Sequence, residues 1–162
     1  MNLKYYDTSS KLNIQTIEKD FSKISCVEIQ IKPLFIYING GVHYKYDPEE
    51  TITKVFIPIL DWLHTKYKNC TTQLHVIMSG VPYCKPEVYN KYRHQTPTRT
   101  IIFDNTIGNW LNMKYPSVHY INMLNSSSLV VGERSSDGLH SLSDANMLYA
   151  LIILNILHLH VN

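Results

Sequence analysis

The chain has 162 residues, of which 44% are hydrophobic and 17% charged, and its formal net charge is +2 at pH 7. This length suits one domain with its own core, and this composition excludes an intrinsically disordered chain. Lysine and arginine are scattered, so nothing supports a nucleic-acid-binding surface. The cysteines (Cys26, Cys70 and Cys84) have no C-x-x-C or metal-ligand spacing, and pairing two would leave one thiol over.

The first third of the chain predicts a helix, two strands and a further segment that is a strand or a connector. Residues 3–6 read as a short edge strand, and residues 14–24 carry apolar side chains three to four apart, which indicates a helix. Residues 26–31 alternate in polarity and are expected to form a strand or an extended connector. Residues 34–38 are an unbroken apolar run after Pro33, which is typical of a central strand in a parallel sheet.

A longer helix is expected to begin at Asp47 or Thr51. Pro48 then stands in the first turn, where a missing N–H is tolerated, and two acidic residues follow at the positive end of the helix. Pro58 interrupts the apolar face of this helix, so we expect it to kink the helix or to begin it anew.

The second half of the chain continues the alternation of strands and helices. Residues 73–78 predict a buried strand, residues 101–111 a helix and residues 118–121 a short strand, while the polar residues 83–98 predict a long loop. In the last apolar segment, residues 142–159, the run from Met147 to Leu157 is too short to span a bilayer, which needs ~20 residues. We expect a helix buried on the sheet, in which Leu151 and Ile152 fill tight core sites.

This order of elements predicts one α/β domain over residues 1–162. Strands that alternate with helices favour a mostly parallel sheet with helices on both of its faces. No repeat, low-complexity tract or linker interrupts the pattern.

The stretch before the last helix carries the most specific chemistry. In Asp137-Gly138-Leu139-His140 a tight turn at the glycine lets the carboxylate accept the Nδ1–H of the histidine, which leaves Nε2 free to take a proton. That arrangement is the base half of a Ser-His-Asp device. The alternative is structural, with Asp137 capping a turn and His140 at a helix start.

A second candidate lies at the end of the predicted strand 34–38. Asn39, Gly40 and Gly41 follow it directly, and ligands bind at the carboxyl ends of strands in open α/β sheets. A side-chain amide is a good donor to an oxyanion, and two glycines let the backbone approach a substrate. The alternative is a plain Gly-Gly turn between a strand and a helix.

Residues 33–155 resemble the SGNH/GDSL hydrolase superfamily, whose domain ends in an Asp-x-x-His pair before its final helix. Asp137-Gly138-Leu139-His140 with Ile152-Ile153-Leu154-Asn155 is most similar to PC-esterases and the luminal domain of sialic-acid O-acetyltransferases. The resemblance implies a three-layer, flavodoxin-like sandwich with a mostly parallel sheet. It also implies that His140 is the base, that Asp137 orients it, and that Asn39-Gly40-Gly41 is a displaced form of the Gly-x-Asn block.

The superfamily's nucleophile block, Gly-Asp-Ser, is missing from this sequence. Asp7-Thr8-Ser9-Ser10 lacks the glycine and lies only about 30 residues before Asn39, where the superfamily places a further strand and helix. Ser79 ends a strand whose counterpart in the relatives carries no nucleophile. We therefore expect no competent serine in this chain and an SGNH domain truncated at its N-terminus.

The resemblance implies an acyl-ester hydrolase or O-acetyltransferase domain acting on acetylated glycans, with acetyl-CoA or another acetyl donor. It also implies the secretory pathway or Golgi lumen, although the first residues do not have the pattern of a signal peptide. The alternative is an inactive remnant or interaction module. A metal hydrolase built from His43, His75, His140 and Asp137 is disfavoured because these residues are not at ligand spacing. No cofactor is predicted within the chain itself.

Overall fold

The computed structural model describes residues 3–7, 14–70, 72, 74–80, 94, 96–124 and 143–161. Within these ranges the strands form one parallel sheet in the order in which they occur in the chain. They are β1 (Leu3–Asp7), β2 (Leu34–Asn39), β3 (Leu74–Ser79) and β4 (His119–Ile121). The predicted α/β class and parallel sheet are confirmed, with β1 at the edge where the sequence places it.

The helices between and after the strands follow the predicted order, with one addition. They are α1 (Ile14–Phe21), α2 (Cys26–Ile31), α3 (Pro48–Thr51), α4 (Ile57–Lys66), α5 (Pro97–Lys114) and α6 (Ser143–Val161). A 3₁₀ turn at Val42–Tyr44 follows β2, and a π-helical turn at Ile52–Phe56 joins α3 to α4.

The two faces of the sheet are covered by different helices. Parallel strands in chain order place their crossovers on one face when each crossover has the usual right hand. That face, which we call the crossover face, buries the even residues of β2, such as Ile36 and Ile38, against α1, α2, α4 and α5. The opposite face buries Phe35 and Tyr37 against α6, and we call it the α6 face.

The predicted strand or connector at residues 26–31 is wrong, because these residues form α2. Ser25 and Glu28 make a capping box: the Ser25 hydroxyl accepts from the Glu28 N–H at 3.3 Å, and the Glu28 carboxylate accepts from the Ser25 N–H at 2.7 Å. Such a cap stabilises a helix start by about 1 kcal/mol. A disulfide between Cys26 and Cys70 also ties the first turn of α2 to the loop after α4. Local capping thus outweighs the alternation in polarity.

The effect of Pro58 agrees with its prediction. Asp47 caps α3, accepting from the Glu50 N–H at 2.9 Å, and the α-helical pattern then gives way to the π turn before α4 begins one residue ahead of Pro58. Proline lacks an N–H and its ring collides with the carbonyl four residues earlier. A π turn at this place opens the helix where that collision would occur.

The last helix is less buried than its sequence predicts. Tyr149 and Leu157 are buried against the sheet, but Leu151 is 52% exposed and Ile152 only half-buried, so the expectation that Leu151 fills a core site is wrong. A helix on one sheet face can bury only one side. Among the described residues, no helix combines the length and apolarity that a membrane crossing requires.

Candidate active site at the carboxyl edge of the sheet

The strand register brings the ends of the strands together. Asp7 of β1 is aligned with Asn39 of β2, Asn39 with Ser79 of β3, and Ser79 with Ile121 of β4. All four strands run in the same direction, so these residues lie in one row at the carboxyl edge of the sheet. This edge is where open parallel sheets bind ligands.

Three side chains at this edge form a hydrogen-bonded group on the α6 face. The Asn39 Nδ2 donates to the Ser79 Oγ at 2.9 Å, and the Ser79 Oγ also shares a hydrogen bond of 2.6 Å with the Tyr37 hydroxyl. Ser79 is 1% exposed, so its hydroxyl exchanges these partners for water only at a cost. The group therefore fixes the orientation of the Asn39 amide.

The second hydrogen of that amide is held more weakly. The Asn39 Nδ2 donates to the Gly80 carbonyl at 3.4 Å, which is long for an N–H···O bond. A developing oxyanion is a stronger acceptor than a peptide carbonyl, because hydrogen bonds to charged groups are about twice as strong. The bond to Gly80 is thus the one that a bound carbonyl oxygen would replace.

Close packing requires the second of the two glycines after Asn39. Gly41 has a φ of 120°, which other residues rarely adopt, and a Cβ there would lie 2.3 Å from the Phe103 ring. Its carbonyl accepts from the N–H groups of Tyr44 and Tyr46 at 3.1 and 3.0 Å. Gly40 and Gly41 are both buried. The predicted Gly-Gly loop therefore lies directly under α5.

The neighbouring residue on α5, Asp104, packs in the same way on the loop after β3. A Cβ at Gly80 would lie 1.6 Å from the Asp104 Oδ1, so the carboxyl group occupies the space of a side chain at that position. Tyr120 of β4 donates its hydroxyl to the same Oδ1, and its ring packs on Gly108, one turn further along α5. Phe103 and Asp104 thus hold the ends of β2 and β3 from one helix.

Burial dominates the electrostatics of this carboxyl group. Asp104 is 0% exposed, and its Oδ2 has no hydrogen-bond partner among the described residues. Burial raises the pKa of Asp104 to about 6, although the hydrogen bond from Tyr120 lowers it in part. Burial, followed by the charge of Asp104 and the hydrogen bond to it, raises the pKa of the Tyr120 hydroxyl.

Sequence reasoning did not single out Asp104. The signal was present: Asp104 shares a helix face with Thr100, Ile107 and Leu111, all of which are buried. Asn105, the next residue of α5, is exposed.

The predicted acid–base pair, Asp137 and His140, lies outside the described residues, as do Ser9 and Ser10. Of the other histidines considered, His43 is exposed, and His75 stacks in the sheet on Phe35 at 4.7 Å between ring centroids. Across the part of the chain that the structure describes, no three His, Cys, Asp or Glu residues are grouped to hold a metal ion.

A groove of about 290 Å³ lies at the other end of β2, away from this row of polar groups. It is formed by Ile24, residues of α2 and the segment 32–34 that leads into β2. The residues that line it include no serine, cysteine or histidine, and its polar side chains are those of Glu28 and Lys32. We therefore place the candidate active site at the carboxyl edge and not in the groove.

No protein-family model matches the chain, and neither a curated protein nor a solved structure does so.

Proposed function

We propose that this chain is an SGNH-type acyl-ester hydrolase or O-acetyltransferase domain that acts on acetylated glycans. The observation that carries the proposal is the Asn39 amide, held by Ser79 at the carboxyl edge of a parallel sheet beside two buried glycines. A fixed side-chain donor at this edge is what an ester carbonyl needs when its oxygen becomes negative. The three-layer SGNH sandwich is part of the proposal.

In the proposed reaction Asn39 binds the carbonyl oxygen of the acetyl group. A serine hydroxyl attacks the carbonyl carbon and gives its proton to His140 Nε2, while Asp137 stabilises the resulting imidazolium. The bond to the leaving atom then breaks, and His140 returns the proton to that atom, which is the ester oxygen of an acetylated glycan or the thiol sulfur of acetyl-CoA. Water completes a hydrolysis, whereas a sugar hydroxyl as the second nucleophile completes a transfer from acetyl-CoA or another acetyl donor.

The attacking serine is expected to come from residues other than those of this chain. Ser79, which is at the right edge, is enclosed by Tyr37 and Asn39, and its hydrogen-bond partners among the described residues include no histidine. A serine without an adjacent base is a weak nucleophile. Ser9 and Ser10 remain the other candidates because they follow Asp7, whose backbone pairs with Asn39.

One observation favours the alternative, an inactive remnant or interaction module. Both Nδ2 hydrogens of Asn39 already have acceptors, Ser79 Oγ and Gly80 O, so this donor is satisfied within the fold. A remnant of an active site retains such a network for stability alone. The enzyme and the inactive module differ in one testable property, which is whether the Asn39 amide binds an added ester.

The disulfide between Cys26 and Cys70 supports a place in the secretory pathway, with the Golgi lumen as the compartment that the resemblance suggests. Disulfides persist in oxidising compartments and are rare in the cytosol.

The nucleophile can be tested with a serine-reactive fluorophosphonate and an activated acetyl ester, using residues 1–162. We expect background labelling and no turnover, because the loss of one triad member typically costs several orders of magnitude in rate. Stoichiometric labelling that His140→Ala abolishes would contradict the absence of a serine, and mapping the adduct would identify Ser9, Ser10 or Ser79. Asn105→Ala is the matched control, since Asn105 is an exposed polar residue of α5.

A further inference from the structure

Asp104 lies where the ends of three strands are joined. Gly80, against which it packs, donates its N–H to the Ile121 carbonyl of β4 at 3.1 Å and accepts from the Asn39 amide of β2. A displacement of Gly80 therefore changes the hydrogen bond that holds the second hydrogen of the Asn39 amide.

In the described residues two buried polar side chains have an atom without a hydrogen-bond partner, the Asp104 carboxyl group and the Tyr149 hydroxyl of α6. The hydroxyls of Thr51 and Thr100 donate to carbonyls of their own helical turns, and Ser79 has its two partners. Asp104 has a donor only at Oδ1, which leaves Oδ2 without a partner among the described residues. A single hydrogen-bond donor offsets little of the cost of burying a carboxylate. The ionised form therefore becomes more stable when the surrounding structure opens and more donors, such as water, reach it.

We propose that Asp104 is a positioning residue. Its protonation state determines the position of Gly80, and the position of Gly80 determines whether the Asn39 amide keeps its second hydrogen bond. In the neutral form the carboxyl group packs on Gly80, and the Gly80 carbonyl keeps its hydrogen bond from Asn39. In the ionised form the contact between α5 and Gly80 loosens to admit donors to the carboxylate. The long bond from Asn39 to Gly80 is the first to be lost, which frees an amide hydrogen for a substrate carbonyl.

The titratable groups of the described elements that pack near Asp104 are these. From β4 the titratable group that faces it is Tyr120, whereas the neutral side chains of Asn39 and Ser79, at the ends of β2 and β3, lie on the opposite face of the sheet. From α3, which also contacts α5, the acidic side chains are Glu49, which is exposed, and Glu50, which is paired with Lys54 at 2.5 Å. Burial accordingly raises the pKa of Asp104, and the hydrogen bond from Tyr120 opposes that rise in part.

This inference rests on the proposed function in one respect only, namely that the freed Asn39 amide would bind an ester carbonyl. The coupling itself is a property of the folded chain, and it is measured without a substrate or an assay of activity. A failure of the coupling and a failure of the esterase proposal therefore give different results.

The test is an NMR titration of the isotope-labelled chain from about pH 4 to about pH 8, a range that spans the ionisation of the carboxyl group. It follows the Asp104 carboxyl carbon, the Gly80 amide and the Asn39 side-chain amide. We expect all three to change with one midpoint near 6, and the exchange of the Asn39 side-chain hydrogens to become faster above it. In Asp104→Asn the transition at Gly80 and Asn39 should be lost.

Tyr120→Phe gives a second test that does not require the Asp104 variant to fold. It removes the hydroxyl that favours the ionised carboxylate, so the common midpoint should move upward. Asp20→Asn, a change of an exposed carboxyl on α1, should leave the transition unchanged. The proposal is overturned if Asp104 titrates while Gly80 and Asn39 do not follow, or if their transition persists in Asp104→Asn.

Discussion

The two faces of the sheet are built differently, and the candidate site draws on both. The crossover face is covered by several helices whose side chains, such as Leu60 and Phe103, are 0% exposed. Among the described residues, the α6 face is covered by one helix, much of which remains exposed. The side chains of Asn39 and Ser79 are on the α6 face, whereas Asp104 contacts the same loops from the crossover face. The heavily packed face thus holds the loops from one side, and the Asn39 amide lies on the other side.

The largest expected effect compares one leucine from each face. Leu60→Ala in α4 should lower the free energy of unfolding by about 2–5 kcal/mol, because the lost side chain leaves a cavity in a packed core. Leu151→Ala in α6 should cost less than about 1 kcal/mol, since Leu151 is half-exposed and its neighbours can close around it. Chemical denaturation of the two variants measures the difference. Equal losses would show that the two faces are packed alike.

A somewhat smaller effect concerns the pH dependence of stability. The pKa of Asp104 is raised from 3.8 to about 6 by folding, so the folded chain binds a proton more tightly than the unfolded chain does. The stabilisation by this proton is complete below about pH 4 and is lost as the pH rises through about 6, a total of roughly 3 kcal/mol. This trend is opposite to that of a typical paired carboxylate. Other carboxylates add their own dependence, so the contribution of Asp104 is the difference between the chain and its Asp104→Asn variant.

Denaturation of both proteins at a series of pH values checks this prediction. The wild type should lose stability relative to Asp104→Asn as the pH rises from about 4 to about 7. Asp20→Asn, in which the changed carboxyl is exposed, provides the comparison. A constant difference between wild type and Asp104→Asn would show that the carboxyl group does not titrate in this range.

The sequence predicts the strands and the Asn39 loop well, but it does not predict the hydrogen-bond partners of Asn39. The apolar runs of β2 and β3 were found because a central parallel strand is buried on both faces. The position of Asn39, Gly40 and Gly41 at the carboxyl edge followed from the end of that run. The partners Ser79 and Tyr37 could not be found in this way, since they depend on strand register, which brings residues some 40 positions apart into contact.

Two predictions, for residues 26–31 and for the last helix, are wrong for physical reasons that the pattern of polar and apolar residues does not reveal. Residues 26–31 alternate like a strand, but the capping box at Ser25 and the disulfide at Cys26 stabilise a helix. The last helix is apolar all round, which predicts burial on all sides, yet in the described residues it meets one sheet face only. The Asp137–His140 pair and the missing serine stay predictions.

The central claim is that the Asn39 amide binds the carbonyl of an acetyl ester, and ligand binding to the folded chain tests it most directly. The measurement is an NMR titration with an O-acetylated sialic acid, with the deacetylated sugar as the control ligand. The account predicts that the acetylated ligand shifts the Asn39 side-chain amide and that Asn39→Ala weakens binding at least tenfold, which corresponds to 1.4 kcal/mol. Asn105→Ala should bind as the wild type does. The account would be contradicted if the chemical shift of the Asn39 side-chain amide did not change, or if Asn39→Ala bound the ligand as tightly as the wild type. Either result would favour the alternative, an inactive interaction module.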